Sequence, residues 1–281
     1  MNAISFNNKT FNYQKVLFWA AIALILFVFV FPILCVYMTS VKPNNAIQNG
    51  HLTFTPTFDH YVNLFSARGA RAAQGPLLNT LIISVASTTL VMLISVPAAY
   101  SFARYNTSGG NLLFTTISTR MFPGVIAAIP FFLLFRDLSL LDTHLGIVLL
   151  YTYFNMSFAT FLLYGFFREI PEQIEYAAMV DGYSRVAILR KIVLPLAKPG
   201  IAITTIFTLI WAWNEYFFAF LFTGRVAKTM TIELSLFWGA SQIQWGMMAA
   251  LMSIAMLPPL MVAIVLQKYI VRGLTFGAVK G

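Results

Sequence analysis

Two charged side chains, Arg120 and Glu215, lie inside long apolar runs of the sequence. A charge in such a run is costly, so it needs a partner or a function. Glu215 follows Trp213 and Asn214, and this cluster could line a pathway for a polar solute by hydrogen bonding and ring stacking, or lock helices of two subunits together. Arg120 could neutralise an acidic group of a solute, pair with Glu215 or a backbone carbonyl, or snorkel to the nearest membrane surface. These residues offer non-covalent recognition.

Residue patterns for covalent chemistry are missing from the sequence. ATP hydrolysis requires a glycine-rich loop that ends in Gly-Lys followed by Ser or Thr, and the nearest imitation, from Gly224 to Thr229, lacks the glycine before the lysine. No His-Glu-x-x-His pair or pair of aspartates lies in an apolar run, as an intramembrane protease would need. The isolated histidines, predicted to be solvated surface residues, are His51, His60 and His144. We therefore expect no catalysis and no bound metal or cofactor in this chain.

The composition indicates a protein solvated by lipid. Hydrophobic residues make up 59% of the 281 residues and charged residues 10%, and the mean hydropathy is +0.78. The net charge of +9 comes from 18 Lys and Arg scattered in short segments between apolar runs, which is typical of membrane topology signals rather than of a nucleic-acid surface. The one cysteine, Cys35, cannot form an intrachain disulfide and is predicted to pack as a small apolar residue. We expect contact with membrane lipid and none with nucleic acid.

Six apolar runs have the length of about 20 residues that a helix needs to cross a bilayer. The first run is too long for a signal peptide, so it is predicted to be a retained helix. The chain then divides into an N-terminal tail (1–15), a six-helix domain (16–270) and a C-terminal tail (271–281). The six runs are Val16–Met38, Leu77–Ala99, Leu112–Phe135, Leu145–Phe167, Gly200–Phe222 and Met247–Leu266.

The basic residues predict the orientation. Six crossings place both termini on one side of the membrane, and that side carries eleven Lys and Arg against six on the other, with Arg120 inside a run. Because positive loops stay inside, both termini are predicted to be cytoplasmic. The segment 168–199 is then cytoplasmic, and the segments 39–76 and 223–246 face outward.

The cytoplasmic segment 168–199 is too polar to span a membrane and carries signals for two short helices. Pro171 suits a first helical turn and Gly182 a helix end. Ser184 can cap a second helix, and Pro195 is predicted to block its continuation. We call this helix–glycine–helix unit, Pro171–Pro195, the elbow.

One face of the first elbow helix carries small and polar residues. Ile174, Ala177, Ala178 and Asp181 fall at helical spacing, and the two alanines would let another protein approach closely. The alternative is an amphipathic segment that lies on the membrane surface.

The elbow resembles the signature of the permease subunits of bacterial binding-protein-dependent ABC importers. That signature is Glu-Ala-Ala, three residues, Gly, nine residues, Ile, one residue and Leu-Pro. Here Ala177-Ala178 is followed at those spacings by Gly182, Ile192 and Leu194-Pro195, while Tyr176 stands at the glutamate position. In the family the elbow is a coupling helix that sits in a cleft of the ATPase, so the resemblance implies docking, by shape more than by charge. The implied coupling residues are Glu175, Tyr176, Ala177, Ala178, Asp181 and Gly182.

Other segments resemble the carbohydrate-importing permeases of that family, and these are Ala99–Arg104, Trp213–Glu215 and the closing run Gly273–Gly281. In maltose-type permeases the tail reaches between the ATPase subunits, which implies contacts for Gly277, Ala278, Val279, Lys280 and Gly281. The outward loop at the place of 223–246 enters the binding protein there, which implies a role in sugar release for Trp238 and Gln242. An interfacial aromatic belt is the alternative for this loop.

The resemblance implies an all-α membrane protein of six helices with the ABC type I importer permease fold and a cytoplasmic coupling helix. It implies a place in a bacterial cytoplasmic (inner) membrane beside a second permease subunit, two ATPase subunits that bind ATP and Mg²⁺, and an extracytoplasmic binding protein that delivers a sugar or oligosaccharide. Two other classes stay open from the residues alone. An ion-coupled secondary transporter usually shows inverted repeats and embedded acidic residues, and a membrane-embedded transferase needs paired carboxylates or a histidine site.

Overall fold

The computed structural model describes residues 13–66, 73–105, 111–121, 123–237 and 244–276. These ranges contain helices and no β-strand, which confirms the all-α prediction. The helices are α1 (Tyr13–Ser40), α2 (Asn44–Gln48), α3 (Asp59–Ser66), α4 (Gln74–Tyr105), α5 (Asn111–Met121), α6 (Gly124–Asp137), α7 (His144–Glu169), α8 (Glu172–Val180), α9 (Arg185–Ile188), α10 (Leu194–Leu196), α11 (Lys198–Asn214), α12 (Phe217–Phe222), α13 (Met230–Leu236) and α14 (Trp245–Phe276).

Four of these helices, α1, α4, α7 and α14, are long and apolar enough to cross a membrane. Two further candidates are bent pairs: α5 with α6, at 93°, and the helical stretch Arg185–Leu196 with α11, at 78°. Counting each pair as one span gives six in the described residues. Helix α14 continues to Phe276, past the predicted end at Leu266 and into the predicted C-terminal tail.

Helices α4 and α7 form the centre of the fold, and α11 packs against both. The buried face of α4 consists largely of small residues, which lets the helix axes approach closely in a lipid environment. Ser95 adds a hydrogen bond from its Oγ to the carbonyl of Met156 on α7, at 3.2 Å. The small buried residues of α4 include Ser84, Ser87, Thr88, Ser95 and Ala99.

The third apolar run is not one straight helix, as Leu112–Phe135 was predicted to be. Helix α5 ends at Met121, and α6 starts after Pro123, whose backbone is extended. A proline has no N–H to continue the helical ladder, and the chain turns by 93° there. Pro97 and Pro130 lie inside α4 and α6 without such a break, so the neighbouring contacts decide what each proline does.

The fifth run, predicted as Gly200–Phe222, is also divided. Helix α11 ends at Asn214, Glu215 is extended, and the short helix α12 follows. The carboxylate of Glu215 accepts hydrogen bonds from the backbone N–H groups of Phe218, at 2.9 Å, and Ala219, at 3.1 Å. The acidic side chain thus caps the first turn of a new helix instead of continuing the old one.

The second arm of the elbow runs further than expected. Pro195 was predicted to end it, yet helical turns continue from Arg185 through a π-helical turn (Leu189–Val193) to Leu196, and the break comes at Ala197. Pro195 thus lies inside the second arm, where its missing N–H removes one helical hydrogen bond without ending the helix.

Candidate coupling site and pathway residues

The elbow has the turn chemistry that its residue types predicted. Pro171 precedes α8, and Gly182 follows it with φ of +84°, a conformation that residues with a side chain rarely adopt. The N–H of Gly182 bonds to the carbonyl of Met179, and the N–H of Tyr183 to that of Ala178, both at 3.0 Å, which closes the helix as a Schellman motif. Ser184 then caps α9. The bend between the two arms is therefore fixed by local bonds.

The inner face of α8 is held by a buried ion pair. Oε1 of Glu175 lies 2.5 Å from Nε of Arg104 on α4, and the two side chains are 3% and 6% exposed. Oε2 of the same carboxylate accepts a hydrogen bond from the hydroxyl of Tyr100, at 2.6 Å. Both carboxylate oxygens are thus occupied by side chains from the last turns of one spanning helix.

Arg104 and Tyr105 extend this attachment to neighbouring elements. Nη2 of Arg104 donates to the carbonyl of Ile170, which ends α7, at 2.8 Å. The hydroxyl of Tyr105 accepts a hydrogen bond from Nη1 of Arg185, the first residue of α9, at 2.9 Å. The last turn of α4 therefore contacts both arms of the elbow.

The outer face of α8 is exposed, and it differs from the predicted docking face. Tyr176, Ala177, Val180 and Asp181 are exposed, Val180 to 88%. Ala178, which the helical spacing had placed beside Ala177 on the docking face, is 5% exposed and packs into the core.

Glu175 and Ala178 therefore point inward, and they are not available to a partner at the elbow surface. The small side chain of Ala178 serves close packing within the chain, in a cluster with Ala99, Leu163 and Phe167. The face open to a partner is made of Tyr176, Ala177, Val180 and Asp181, which we call the outer elbow face.

The hydroxyl of Tyr176 donates a hydrogen bond to the carboxylate of Glu172, at 2.8 Å. This bond, together with the nearby negative charge of Glu172, raises the pKa of Tyr176 above its ordinary value. The phenol is therefore neutral at physiological pH, and the position that carries a glutamate in the family signature carries a neutral ring here.

Arg120 lies at the end of α5, one turn before the bend at Pro123. Nη1 donates to the carbonyl of Phe154 on α7, at 3.0 Å, and the guanidinium lies 4.8 Å from the ring centroid of Phe158. The side chain is otherwise exposed. Of the partners that the sequence suggested for Arg120, the structure shows a backbone carbonyl, that of Phe154. Glu215 instead accepts a hydrogen bond from Tyr151.

Glu215 joins helices within this chain. Besides capping α12, its Oε2 accepts a hydrogen bond from the buried hydroxyl of Tyr151 on α7, at 2.8 Å. Thr231, on α13, donates to the backbone carbonyl of Glu215, at 2.9 Å. Within the described chain, these contacts make Glu215 a joint between α7, α11 and α13.

Trp213 and Asn214 behave differently from each other. Trp213 is 5% exposed, and its indole N–H donates to the carbonyl of Ala255 on α14, at 3.1 Å. Asn214 is exposed, and its amide nitrogen bonds to the carbonyl of Ile210 in its own helix. A cavity of about 260 Å³ opens beside them. It is lined by Trp213, Asn214, Met230, Thr231, Leu234, Met252, Ala255, Met256 and Pro259.

Several predicted site residues lie outside the described ranges. These are Trp238 and Gln242 in the outward loop and Gly277, Ala278, Val279, Lys280 and Gly281 in the tail. Among the residues that the structure does describe, no three His, Cys, Asp or Glu side chains come together as a metal site.

At the end of the fold opposite the elbow, sequence reasoning missed a second polar cluster. The carboxylate of Asp142 accepts hydrogen bonds from the backbone N–H groups of residues 224–227, at 2.7–3.1 Å. Partial burial alone would raise the pKa of Asp142, but these N–H donors outweigh it and hold the pKa below its ordinary value.

Two of the three histidines are not free surface residues, contrary to prediction. Nε2 of His144 lies 2.7 Å from Oδ1 of Asn79, whose amide nitrogen in turn bonds to the carbonyls of Val226 and Lys228. His60 is buried and contacts the carbonyl of Lys42. His51 is exposed.

Tyr100 and Arg104 are functional candidates that residue-by-residue reasoning did not single out. Both residues belong to the run Ala99–Arg104, which was considered only for its resemblance to carbohydrate-importing permeases. One sequence signal could have identified the pair Arg104 and Glu175. Arg104 is a cation at the end of a predicted spanning helix, and Glu175 is an acidic residue on one face of the predicted elbow helix.

Comparison with known proteins identifies the family. The family model described as "Binding-protein-dependent transport system inner membrane component" matches residues 92–276. The trehalose transport system permease protein SugB of Mycobacterium tuberculosis is 33% identical, over 95% of this chain and 99% of the relative. The sulfoquinovosyl glycerol transport system permease protein SmoH of Agrobacterium fabrum is 32% identical, over 89% of each chain.

A solved structure has the same fold. A chain of a bacterial ABC transporter involved in the import of the acidic polysaccharide alginate superimposes with a TM-score of 0.77, covering 95% of this chain and 99% of that one, at 24% identity. The predicted permease fold is thereby confirmed. With its family-model match, its relatives and its elbow, this chain belongs to the inner membrane components of binding-protein-dependent transport systems.

Proposed function

We propose that the chain is one of two different permease subunits of an ABC importer that carries a sugar or oligosaccharide across a bacterial cytoplasmic membrane, with both termini in the cytoplasm. Support for a sugar comes from the relatives, which are named for trehalose and sulfoquinovosyl glycerol transport. The observation that carries the proposal is the elbow, a rigid helical pair at one end of the spans with an exposed outer face.

The outer elbow face docks the ATPase. Val180 and the ring of Tyr176, one turn before it on α8, are both well exposed, so a cleft on the ATPase would bury an apolar and aromatic surface. Gly182 contributes by keeping the second arm at its angle rather than by contact. Since the sequence lacks the loop that cradles nucleotide phosphates, ATP and Mg²⁺ are bound by the two ATPase subunits.

A second permease subunit covers part of the long helices. Helix α1 packs along α14, and large apolar side chains such as Trp19 and Phe29 are exposed. Lipid and the second subunit share that surface. The tail 277–281 reaches the ATPase subunits, and the loop around Trp238 and Gln242 meets the binding protein; both roles rest on the resemblance to maltose-type permeases.

The substrate pathway runs past the exposed polar groups of the spans, Arg120 and Asn214. Both lie next to a break in a helix, and interrupted helices supply polar groups at mid-membrane in other transporters. Trp213 and Glu215 hold the helices beside this pathway in place, because Trp213 bonds the carbonyl of Ala255 and Glu215 accepts a hydrogen bond from Tyr151. The pathway opens alternately to each side as ATPase closure pushes the elbow and turns the spans.

The docking proposal is tested by Val180→Glu. A carboxylate placed at the centre of an apolar contact is expected to weaken retention of the ATPase by about tenfold or more, because desolvating a charge without a partner is costly. The measurement is the amount of ATPase subunit that copurifies with a tagged permease, with binding-protein-stimulated ATP hydrolysis as a second readout.

The matched control is Val62→Glu, the same change at an exposed valine of α3, at the end of the fold away from the elbow. It is expected to leave ATPase retention unchanged. If Val180→Glu copurifies as much ATPase as Val62→Glu does, the outer elbow face is not the docking surface.

A further inference from the structure

The elbow is fastened to one helix of the spans in particular. Its first arm is tied to α4 through Glu175, which bonds both Arg104 and Tyr100, and its second arm through the contact of Arg185 with Tyr105. These three contacts of α4 lie within its last two turns. Helix α7 precedes α8 in the chain and is joined to it through Ile170 and Pro171, and its Leu163 and Phe167 add apolar contacts to the cluster that holds Ala178.

The contact through Glu175 is the stiffer of the two. Its partners are almost completely shielded from water, and in such surroundings charged hydrogen bonds are strong and cannot be exchanged for water at low cost. The guanidinium of Arg185 lies instead on an exposed phenol. A displacement of α8 must therefore move Arg104 and Tyr100 with it, or break two bonds in a dry site.

Helix α4 can carry such a displacement into the membrane. It packs along α7 and also against α11 and α13, so it reaches from the elbow to the opposite end of the fold. Near its other end, Asn79 bonds the carbonyls of Val226 and Lys228, and Thr80 accepts a hydrogen bond from the N–H of Met230. A rotation of α4 would therefore displace the segment that follows α12.

We propose that Glu175, held by Arg104 and Tyr100, is a positioning residue that transmits movement of the ATPase-docked elbow to α4. Helix α4 then acts as a lever, because it carries this movement to the opposite end of the spans. This inference rests on the proposed docking of an ATPase at the outer elbow face. Glu175 thus links α8 to α4 within the chain. Val180 and Tyr176, on the outer elbow face, contact the ATPase.

The test is Glu175→Gln in the complete transporter, reconstituted in lipid vesicles with its binding protein. The amide keeps the size of the side chain and one acceptor for Tyr100 but loses the ion pair. The readout is the number of substrate molecules imported per ATP hydrolysed. A smaller fraction of folded transporter lowers import and hydrolysis together, so it leaves this ratio unchanged.

We expect the ratio to fall about fivefold or more, the range that coupling between distant sites commonly has. Glu169→Gln is the matched control, because Glu169 is an exposed glutamate beside the elbow, and its ratio is expected to equal that of the wild type. Arg104→Gln added to Glu175→Gln should lower the ratio no further, since the two residues act as one unit.

The outcomes separate the inference from the docking proposal. If Glu175→Gln retains its ATPase and keeps the wild-type ratio, the lever is wrong while docking stands. If Glu175→Gln loses the ATPase itself, the residue belongs to assembly and the lever is again wrong. Failure of docking would appear instead in the Val180→Glu experiment.

Discussion

Two regions of the spans each centre on an arginine near the end of a helix, and their surroundings are opposite. Arg104, on α4, has a 6% exposed side chain, with Nε on Glu175 and Nη2 on the carbonyl of Ile170. Arg120, on α5, is exposed, and within the described residues it donates one hydrogen bond, to the carbonyl of Phe154, beside the ring of Phe158.

The difference separates a joint from a surface. A buried guanidinium whose donors meet a carboxylate and a carbonyl can move only with its partners, so Arg104 fixes three elements relative to one another. A guanidinium with most of its donors open can exchange partners, so Arg120 can meet a solute, water or a lipid headgroup without disturbing the fold. The residue type is the same, and burial decides the role.

The largest effect is expected for Arg104→Met. The methionine fills much of the space of the arginine, but the carboxylate of Glu175 is left buried without its cation, which typically costs about 3–5 kcal/mol of folding free energy. The measurement is the free energy of unfolding of the purified permease complex by steric trapping, or its Tm where unfolding is irreversible.

The control is the double variant Arg104→Met with Glu175→Leu. Removing both charges leaves no buried ion, so most of the lost stability should return, because a well-packed apolar pair often equals a buried ion pair. The double variant should nevertheless stay uncoupled. A single variant as stable as the wild type would show that Glu175 does not depend on Arg104.

A smaller effect on stability is expected for Arg120→Met. It removes one hydrogen bond and an exposed ring contact, so the free energy of unfolding should fall by about 1–2 kcal/mol, less than is expected for Arg104→Met. If Arg120 lines the pathway, the concentration of substrate-loaded binding protein that gives half-maximal uptake, or the maximal rate, should change by about fivefold, which one charged hydrogen bond can account for.

Arg120→Lys sharpens the comparison, because it keeps the charge and loses the planar donor array. Recovery of uptake in this variant would assign charge as the important property, and continued loss would assign the geometry of the guanidinium. A fall in stability as large as that of Arg104→Met would make Arg120 a joint as well, and the contrast between the two regions would disappear.

Much of the fold follows from local rules, and the site follows only in part. The end of the first elbow helix and the start of the second were predictable, because Gly182 and Ser184 satisfy backbone groups within their own turns. The inward direction of Glu175 and Ala178 was not predictable from the sequence. The signature residues of a short helix can lie on either face, and contacts with the neighbouring helices decide which face is buried. The partner of Glu175 lies 71 residues away in the chain.

The same limit applies to the breaks in the spans. Pro123 interrupts a run while Pro97 lies inside a continuous helix, and the residues themselves do not distinguish the two cases. The sequence left Glu215 as a pathway residue or a lock between two subunits, and it did not indicate that Tyr151, on another helix of the same chain, donates to its carboxylate. Contacts between distant segments decide such questions, and spacing within one segment does not contain them.

The smallest effect is expected one residue beyond Glu175, at Tyr176→Phe. The lost hydroxyl bonds Glu172 on the surface of the same helix, where water can replace it, so Tm should change by less than about 2 °C. Docking by shape needs the ring rather than the hydroxyl. ATPase retention should therefore stay within about twofold, which is much less than the change of a hot-spot contact.

Tyr176→Ala is the companion variant, because it removes the ring as well and should weaken ATPase retention. Equal losses in Tyr176→Phe and Tyr176→Ala would mean that the hydroxyl itself contacts the ATPase, as the glutamate of the signature would by charge. With the expected order, the adjacent residues Glu175 and Tyr176 divide the elbow between them: the inner residue passes movement to α4, and the outer residue supplies the shape that the ATPase holds.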